Sequence, residues 1–391
     1  MIERVEEQLK ILMVNSTFGV VGGVERFIIS MGEMLKQENW QVYGLFEREQ
    51  NPHPRFTAVF DDWEIIDKTD ISEQLDYYQE IGINVVCIHK VAHHAWVKEL
   101  QRLFPTVLIV HDHDYYCLRR HKYFPIQRRN CHLPFSQLYC PLCAGIIERK
   151  DKGYGLIDWE ARYLMLKQIR QCEMSFVLSE YMKANLIQNA WDKDKIHLLK
   201  PLQAMYPIQQ NANAIPQILY VGQLIRGKGV DLLLKALTHI HLNYRCKIVG
   251  RGNDEQYLKE LIAQFGLSKK VEIAGWSDSI DDEYIKSDLV VVPSRWQEPF
   301  ALIGLEAFAH AKPVVAFDVG GISQWLRHKQ NGILVKAKDS KRLASAIKKL
   351  LQNPSLRDEY GRAGYAMVKS EYNYEKFRES FLMPLQELAR K

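Results

Sequence analysis

The sequence predicts an α/β protein built from two Rossmann-like, doubly wound parallel-sheet domains, and three observations carry that reading. Short apolar, β-branched runs alternate with longer segments of helical period, the pattern occurs twice, and an aperiodic stretch rich in Pro, Asn and Gln separates the two occurrences. A chain of 391 residues suits two domains. Apolar residues at 47% and charged residues at 25% are globular values, which exclude a fibrous or wholly disordered chain. Lys and Arg number 52 against 47 Asp and Glu, a formal +5 that is too weak to argue for nucleic acid.

In order along the chain, the first-half strands are expected at Lys10–Asn15, Gln41–Phe46, Asn84–Ile88, Thr106–Val110 and Met174–Leu178. The second-half strands are expected at Gln217–Gly222, Tyr244–Gly250, Lys270–Ala274, Asp288–Pro293 and Pro313–Phe317. Pro201–Pro216 holds three prolines and reads as the linker. The domains are therefore expected at 1–203 and 204–371. A last helix over 372–391 carries apolar positions at Phe377, Phe381 and Leu385, and the sequence leaves its packing partner open. Over 111–155 the alternation breaks into an irregular insertion rich in Arg, His, Tyr and Cys. It follows a parallel strand's carboxyl end, where α/β sheets hold their ligands.

Met1–Lys10 is a charged lead-in with no apolar segment behind it, so it does not read as a secretory signal. Apolar runs such as Ile11–Val14 and Leu289–Val292 are far short of the ~20 residues that span a bilayer. A cytoplasmic protein is expected, with any membrane contact peripheral and at the inner face.

Three segments can carry chemistry. The first strand runs through Ser16-Thr17-Phe18-Gly19 into Gly22-Gly23-Val24-Glu25 and a helix, which suits either an anion at free backbone N–H groups or a plain tight turn. Its spacing is not the G-x-G-x-x-G dinucleotide motif. In the second half, Gly222-Gln223-Leu224-Ile225-Arg226-Gly227-Lys228-Gly229 sets two cations around a glycine turn, a clamp for a diphosphate or a solvated basic turn. Further on, Glu298-Pro299-Phe300-Ala301-Leu302 leads to Glu306, with Glu298 expected just before a helix and Glu306 about two turns into it. That spacing suits two separate groups of one elongated ligand, and a carboxylate accepting two hydroxyls is a natural sugar or ribose contact.

Taken together these segments resemble the retaining, nucleotide-sugar-dependent glycosyltransferases of family 4, which have the GT-B fold of two Rossmann-like domains facing a central cleft. The resemblance rests on Glu298…Glu306 (E-x7-E), on Lys312-Pro313-Val314-Val315-Ala316 and Val319-Gly320-Gly321, and on Val249-Gly250-Arg251-Gly252 and Asn331-Gly332-Ile333-Leu334-Val335. It covers residues 216–335; Gly22-Gly23-Val24-Glu25 and His111-Asp112 match more loosely. The resemblance implies that Arg226 and Lys228 neutralise the donor diphosphate, with Gly250 beside them in the donor site. It implies that Glu306 takes the ribose hydroxyls, and that Glu298 with the backbone of Phe300, Ala301 and Leu302 holds the donor sugar and phosphate. Gly23 would approach the phosphates or the acceptor, and His111 would reach the sugar.

The reaction so implied is hexosyl transfer with retention from a UDP- or GDP-linked sugar to a glycan or lipid-linked acceptor in surface polysaccharide synthesis. No protein nucleophile and no catalytic metal are expected, the work being positioning and charge stabilisation. Gln223, Ala301 and Gln324 depart from the family's usual Arg, Gly and Glu. Rival readings are an epimerase of the same fold, or a non-catalytic module that binds a partner through the insertion.

The insertion poses its own question. Cys117, Cys131, Cys140 and Cys143, with one C-x2-C knuckle, suit a structural zinc site; a redox pair, an iron–sulfur cluster and four unconnected thiols stay open. Arg119, Arg120, Lys122, Arg128 and Arg129 lie among Tyr115, Tyr116, Tyr123 and Phe124. That composition suits a lipid-diphosphate carrier, an anionic membrane surface or a solvated loop.

Overall fold

The computed structural model describes residues 8–20, 22–66, 71–124, 129–144, 147–150, 153–209, 213–277 and 279–391; most of the lead-in and Arg128 lie outside them. The chain forms two units. One comprises residues 1–121, 132–200 and 377–391, the other 122–131 and 201–376.

The sheet of the first unit has seven parallel strands. Across it they run Ile196–Leu198, Met174–Val177, Thr106–Ile109, Val85–Ile88, Lys10–Asn15, Gln41–Phe46 and Asp62–Ile65. Ile11, Leu12, Met13 and Val14 are fully buried, as are Val85 to Ile88, because a parallel sheet is covered on both faces. Ile11 sits beside Val42 on one side and Val85 on the other, so the chain reverses its winding around this first strand. The two outermost strands escape a hydrophobic criterion. Asp62–Ile65 is exposed or half-buried throughout, and Ile196–Leu198 is only three residues long.

Part of the insertion belongs to this unit. It contributes a short helix, Tyr139–Ala144, and an antiparallel hairpin, Ile147–Lys150 with Gly153–Leu156. The helix Trp159–Ile169 follows, with Asp158 accepting the Ala161 N–H at 2.9 Å as its cap.

The end of the chain also belongs here. The edge of Phe381 meets the Phe176 ring at 4.9 Å, and the Lys200 N–H donates to Ser380 Oγ at 3.0 Å. The terminal helix is not uniform: a π-helical turn, Arg378–Leu382, separates Tyr374–Phe377 from Met383–Ala389. Pro384 has no N–H to offer the carbonyl four residues before it, and a wider turn accommodates that loss.

The second unit has six parallel strands in the order Val271–Gly275, Arg245–Val249, Gln217–Val221, Leu289–Val292, Val314–Asp318 and Gly332–Lys336. Its first strand, Gln217–Val221, pairs with Arg245–Val249 on one side and Leu289–Val292 on the other. The stretch Pro201–Pro216 lacks regular structure among its described residues, yet it packs on this unit. Gln203 N–H donates to the Tyr372 carbonyl at 3.0 Å, and Tyr206 stacks on His310 at 4.1 Å.

The rest of the insertion supplies a two-residue hairpin, Tyr123–Phe124 with Arg129–Asn130, to the second unit. Buried Gln297 fixes it by donating to the carbonyls of Lys122 (3.2 Å) and Cys131 (2.5 Å). Among the described residues no helix is long and apolar enough to cross a membrane.

Phe381 is fully buried. Phe381→Ala is expected to lower stability by about 3–5 kcal/mol in chemical denaturation of the intact chain, the usual cost of emptying an aromatic core position. A loss under about 0.5 kcal/mol would remove the terminal helix from the first unit's core.

Candidate functional site

At the carboxyl edge of the second sheet, the loops after Gln217–Val221 and Leu289–Val292 emerge beside each other. This is the point where the strand order reverses, and α/β sheets bind ligands in that crevice. The first of these loops carries Arg226 and Lys228 on a single 3-10 turn. The second carries Ser294 through Leu302.

Lys228 and Glu298 meet. Lys228 Nζ donates to both Glu298 oxygens, at 2.8 and 3.0 Å. Ser294 Oγ (2.5 Å) and Trp296 Nε1 (3.1 Å) add hydrogen bonds to Oε1. Glu298 is only 4% exposed. Burial alone would raise its carboxyl, but the Lys228 charge and the three donors outweigh that and hold it below its ordinary value. The backbone of Glu298 is gripped as closely as its side chain. Gly321 N–H donates to the Glu298 carbonyl at 2.8 Å, and a Cβ on Gly320 would lie 2.0 Å from that oxygen. Gly320 also has φ +59°, so the Gly-Gly turn answers to both contact and conformation.

Arg226 lies on the outer side of the same turn. Its guanidinium stacks over Tyr257 at 4.0 Å and pairs with Asp231 (3.5 Å) and Asp254 (3.4 Å). Asp231 also takes Arg295, at 2.5 Å. Gly250 ends the neighbouring strand with φ +141°, and a Cβ there would lie 1.9 Å from the Gly222 carbonyl. The glycine therefore lets the two loops touch.

The helix carrying Glu306 begins later than the sequence reading had it. It spans Ile303–Ala309, which puts Glu306 in the first turn and not two turns in. The cause is local: Pro299 disfavours helical backbone at Glu298, and Ala301 adopts φ +65°. Phe300 is buried, and its carbonyl accepts Trp325 Nε1 at 2.5 Å. The Leu302 carbonyl accepts the Glu306 N–H at 3.0 Å. Fully buried Tyr284 donates its hydroxyl to Glu306 Oε2 at 2.7 Å.

In the first unit, a second polar cluster occupies the carboxyl edge of the strands Val85–Ile88 and Thr106–Ile109. His111 Nε2 lies 2.9 Å from Nδ1 of fully buried His89, with the rings stacked at 5.2 Å. His89 Nε2 is 3.7 Å from Cys87 Sγ. Lys90 pairs with Asp112 and, at 3.1 Å, with Asp114. Burial, aided by the Lys90 charge, pushes His111 down to about 3, so the imidazole is neutral at physiological pH. Burial also lowers His89, while the two aspartates overcome burial and raise Lys90. His113 is a core histidine bonded to the Tyr116 hydroxyl at 2.7 Å. Gly23 opens the helix Gly23–Gln37, whose N-terminus is closed by Glu25 accepting the Gly22 N–H at 2.8 Å.

The expected zinc site finds no support. Among the described residues no group of three or more His, Cys, Asp or Glu is disposed to hold a metal ion. The insertion divides between the two units, with Cys131 in the second and Cys117, Cys140 and Cys143 in the first. Cys140 Sγ instead accepts the Ser136 N–H at 3.3 Å.

Of the expected residues, Lys228 and Glu298 are in direct contact, and Arg226 lies on the same turn as Lys228. His111 and Gly23 belong to the first unit. Sequence reasoning missed Ser294 and Trp296, which flank Glu298, and Tyr284, His89 and Lys90, which no spacing rule links to their partners.

Residues 207–367 match the family model described as "Glycosyl transferases group 1". An uncharacterized glycosyltransferase of Methanocaldococcus jannaschii is 24% identical over 347 residues, covering 79% of this chain and 86% of that protein. The lipopolysaccharide core biosynthesis glycosyltransferase LpsE of Rhizobium meliloti is 26% identical over 170 residues, 44% of this chain. The chain spans only 49% of LpsE in that match. Among solved structures, Anabaena HepE in complex with UDP-glucose superposes with a TM-score of 0.73 at 15% identity, covering 97% of this chain and all of that one.

Two outcomes test the site's construction. The folded Glu298 carboxyl lies below its ordinary value of about 4.5. Its contribution to stability is therefore present above that pH and lost as pH falls through the folded value. Glu298→Gln is expected to cost roughly 2–3 kcal/mol near pH 7, less than a fully enclosed pair because Lys228 is partly solvated, and the gap to wild type should narrow as pH is taken down from 4.5. A gap that stays constant as pH falls below 4.5, for as long as both proteins remain folded, would contradict the ion pair.

Ala301→Gly is expected to raise stability by about 0.5–1 kcal/mol. Left-handed backbone costs alanine about 1–2 kcal/mol, against 0.5–1 kcal/mol for ordering a glycine. Thermal denaturation of the two proteins side by side checks the sign.

Proposed function

We propose that this chain, a glycosyltransferase of the GT-B fold with a group 1 domain at residues 207–367, is a retaining hexosyltransferase of the family 4 type. It takes a UDP- or GDP-linked sugar and extends a glycan or lipid-linked acceptor of a surface polysaccharide, on the cytoplasmic side of the membrane. The observation that carries the reading is the Lys228–Glu298 pair at the reversal point of the second sheet, eight residues before Glu306.

Each group then has a task. Lys228 holds the leaving diphosphate and offsets the charge that builds there as the glycosidic bond breaks, with Arg226 beside it. Glu298, kept ionised, accepts sugar hydroxyls, and the backbone from Phe300 to Leu302 orients sugar and phosphate. Glu306, aimed by Tyr284, accepts the ribose hydroxyls. Gly23 leaves backbone open to the donor, and Gly250 lets the loops on the donor side close against each other. His111, neutral at working pH, offers a hydrogen bond to the sugar and does not act as an acid. The acceptor attacks on the leaving group's own face, and the departing phosphate takes its proton.

Two likenesses support the donor and pathway: HepE holds UDP-glucose, and LpsE is named for lipopolysaccharide core biosynthesis.

The test is a panel of UDP-, GDP- and ADP-sugars titrated against the wild type and Glu306→Ala. One donor should bind, and the variant should lose about 10-fold or more of that affinity, the worth of a charged hydrogen bond. No binding by folded wild type would overturn the donor assignment. A product of inverted anomeric configuration, read by NMR, would overturn retention.

A further inference from the structure

The hydrogen bonds behind His111 decide how its ring can meet a ligand. Cys87 lies in the strand Val85–Ile88 and His89 just past its end, and residues two apart on a strand share one face. His111 follows the neighbouring strand, Thr106–Ile109. The three side chains form a line. Cys87 Sγ lies 3.7 Å from His89 Nε2, and His89 Nδ1 lies 2.9 Å from His111 Nε2.

The surrounding fold fixes the line. The His89 N–H donates to the Val14 carbonyl at 2.9 Å, and the His89 carbonyl accepts the Tyr115 hydroxyl at 3.2 Å. Phe27, one turn into the helix Gly23–Gln37, stands edge-to-face with both imidazoles, 5.3 Å from His111 and 6.4 Å from His89. Cys87 and His89 are fully buried, and His111 is half-buried.

The protons then have one fully bonded arrangement. Burial pushes the Cys87 thiol up and both imidazoles down, so the line carries one S–H and one N–H on each ring. Only one proton can lie between His89 Nδ1 and His111 Nε2. If His111 supplied it, His89 would carry its own on Nε2, pointing at sulfur. The Cys87 S–H, whose one side-chain partner among the described residues is His89, would then have no acceptor. If His89 supplies it, the thiol donates to the bare His89 Nε2, and every buried donor is satisfied. His111 then carries its proton on Nδ1. That nitrogen makes no hydrogen bond to any described residue, so its N–H is available to a ligand.

We propose that His89, backed by the Cys87 thiol, is a positioning residue that fixes His111 as a hydrogen-bond donor, through Nδ1–H, to the transferred sugar. The sugar contact rests on the proposed transferase reading; the tautomer does not. The group opposite His111 must accept a hydrogen bond, as a hydroxyl or carboxylate oxygen does and an ammonium cannot.

Heteronuclear NMR of the ring nitrogens in the full-length, ligand-free protein tests it, because protonated and bare nitrogens resonate far apart. The wild-type His111 signal, assigned by its loss in His111→Gln, should show the proton on Nδ1 alone. His89→Asn, whose amide can still donate to His111 Nε2, should keep that form. His89→Phe and Cys87→Ala should release it, so that both tautomers appear. Transfer of sugar from the best-bound nucleotide sugar to water should fall about 3- to 10-fold in His89→Phe, the worth of one hydrogen bond, and His89→Asn should recover most of the loss. A wild-type His111 protonated on Nε2, or a single tautomer persisting in His89→Phe, would overturn the proposal with donor binding intact. An equal loss of transfer in His89→Asn and His89→Phe would also overturn it, since packing alone would then be at work. If no nucleotide sugar binds the folded wild type, the sugar contact is overturned together with the transferase reading, and the fixed tautomer stands. The wild-type spectrum decides even where a His89 variant fails to fold.

Discussion

Keeping the Glu298 carboxylate ionised inside the second unit constrains most of what surrounds it. A buried carboxylate without partners would take up a proton, and its value as a fixed negative acceptor would be lost. Four hydrogen bonds from three side chains prevent this, and each donor must be placed by the fold. Lys228 comes from a turn after the first strand of the unit, seventy residues away. Trp296 and Ser294 come from the loop that carries the glutamate itself. The Gly-Gly turn at 320–321 closes on the backbone from the far side. The strand order places these segments together, because Gln217–Val221 and Leu289–Val292 are neighbours in the sheet although distant in the chain. The parallel sheet is in this sense the framework on which a single charge is held.

The first unit meets a similar problem with the opposite solution. His89 and His111 are packed as neutral rings bonded to one another, and burial removes their capacity to carry a proton near neutral pH. The cation of that cluster is Lys90, stabilised by Asp112 and Asp114. One edge therefore offers neutral hydrogen-bonding groups beside a compensated ion cluster, while the edge in the second unit offers a fixed anion beside a partly solvated cation.

The alternation of apolar runs disclosed both sheets, because a strand buried on two faces has no choice but continuous hydrophobicity. Ten strands were legible for that reason. Asp62–Ile65 and Ile196–Leu198 were not, since these edge strands bury little and carry no such run, and the edge strand Gly332–Lys336 was read only as a motif. The E-x7-E spacing singled out Glu298 and Glu306 but mis-set the helix between them, because alanine gives no hint that position 301 is left-handed. The Lys228 partner was invisible for another reason: a contact across seventy residues exists only once the strand order is known. Cysteine spacing suggested a metal site that the described residues do not support. The reading treated 111–155 as one body, whereas Gln297 draws the hairpin at its middle onto the second unit and takes Cys131 with it.

The family signal and the irregular features divide along the same line as the fold. The model match runs from 207 to 367, within the second unit, and includes every residue of the Lys228–Glu298 network. The exposed apolar residues of 133–164 lie in the first. The Lys228–Glu298 network holds a buried carboxylate, so its charges, glycines and hydrogen bonds are tightly specified by one another. An exposed apolar surface has only to supply area, which many sequences can do. Sequence patterns therefore report the first kind of site strongly and the second weakly. The second kind becomes visible only when exposure is measured residue by residue on the folded chain.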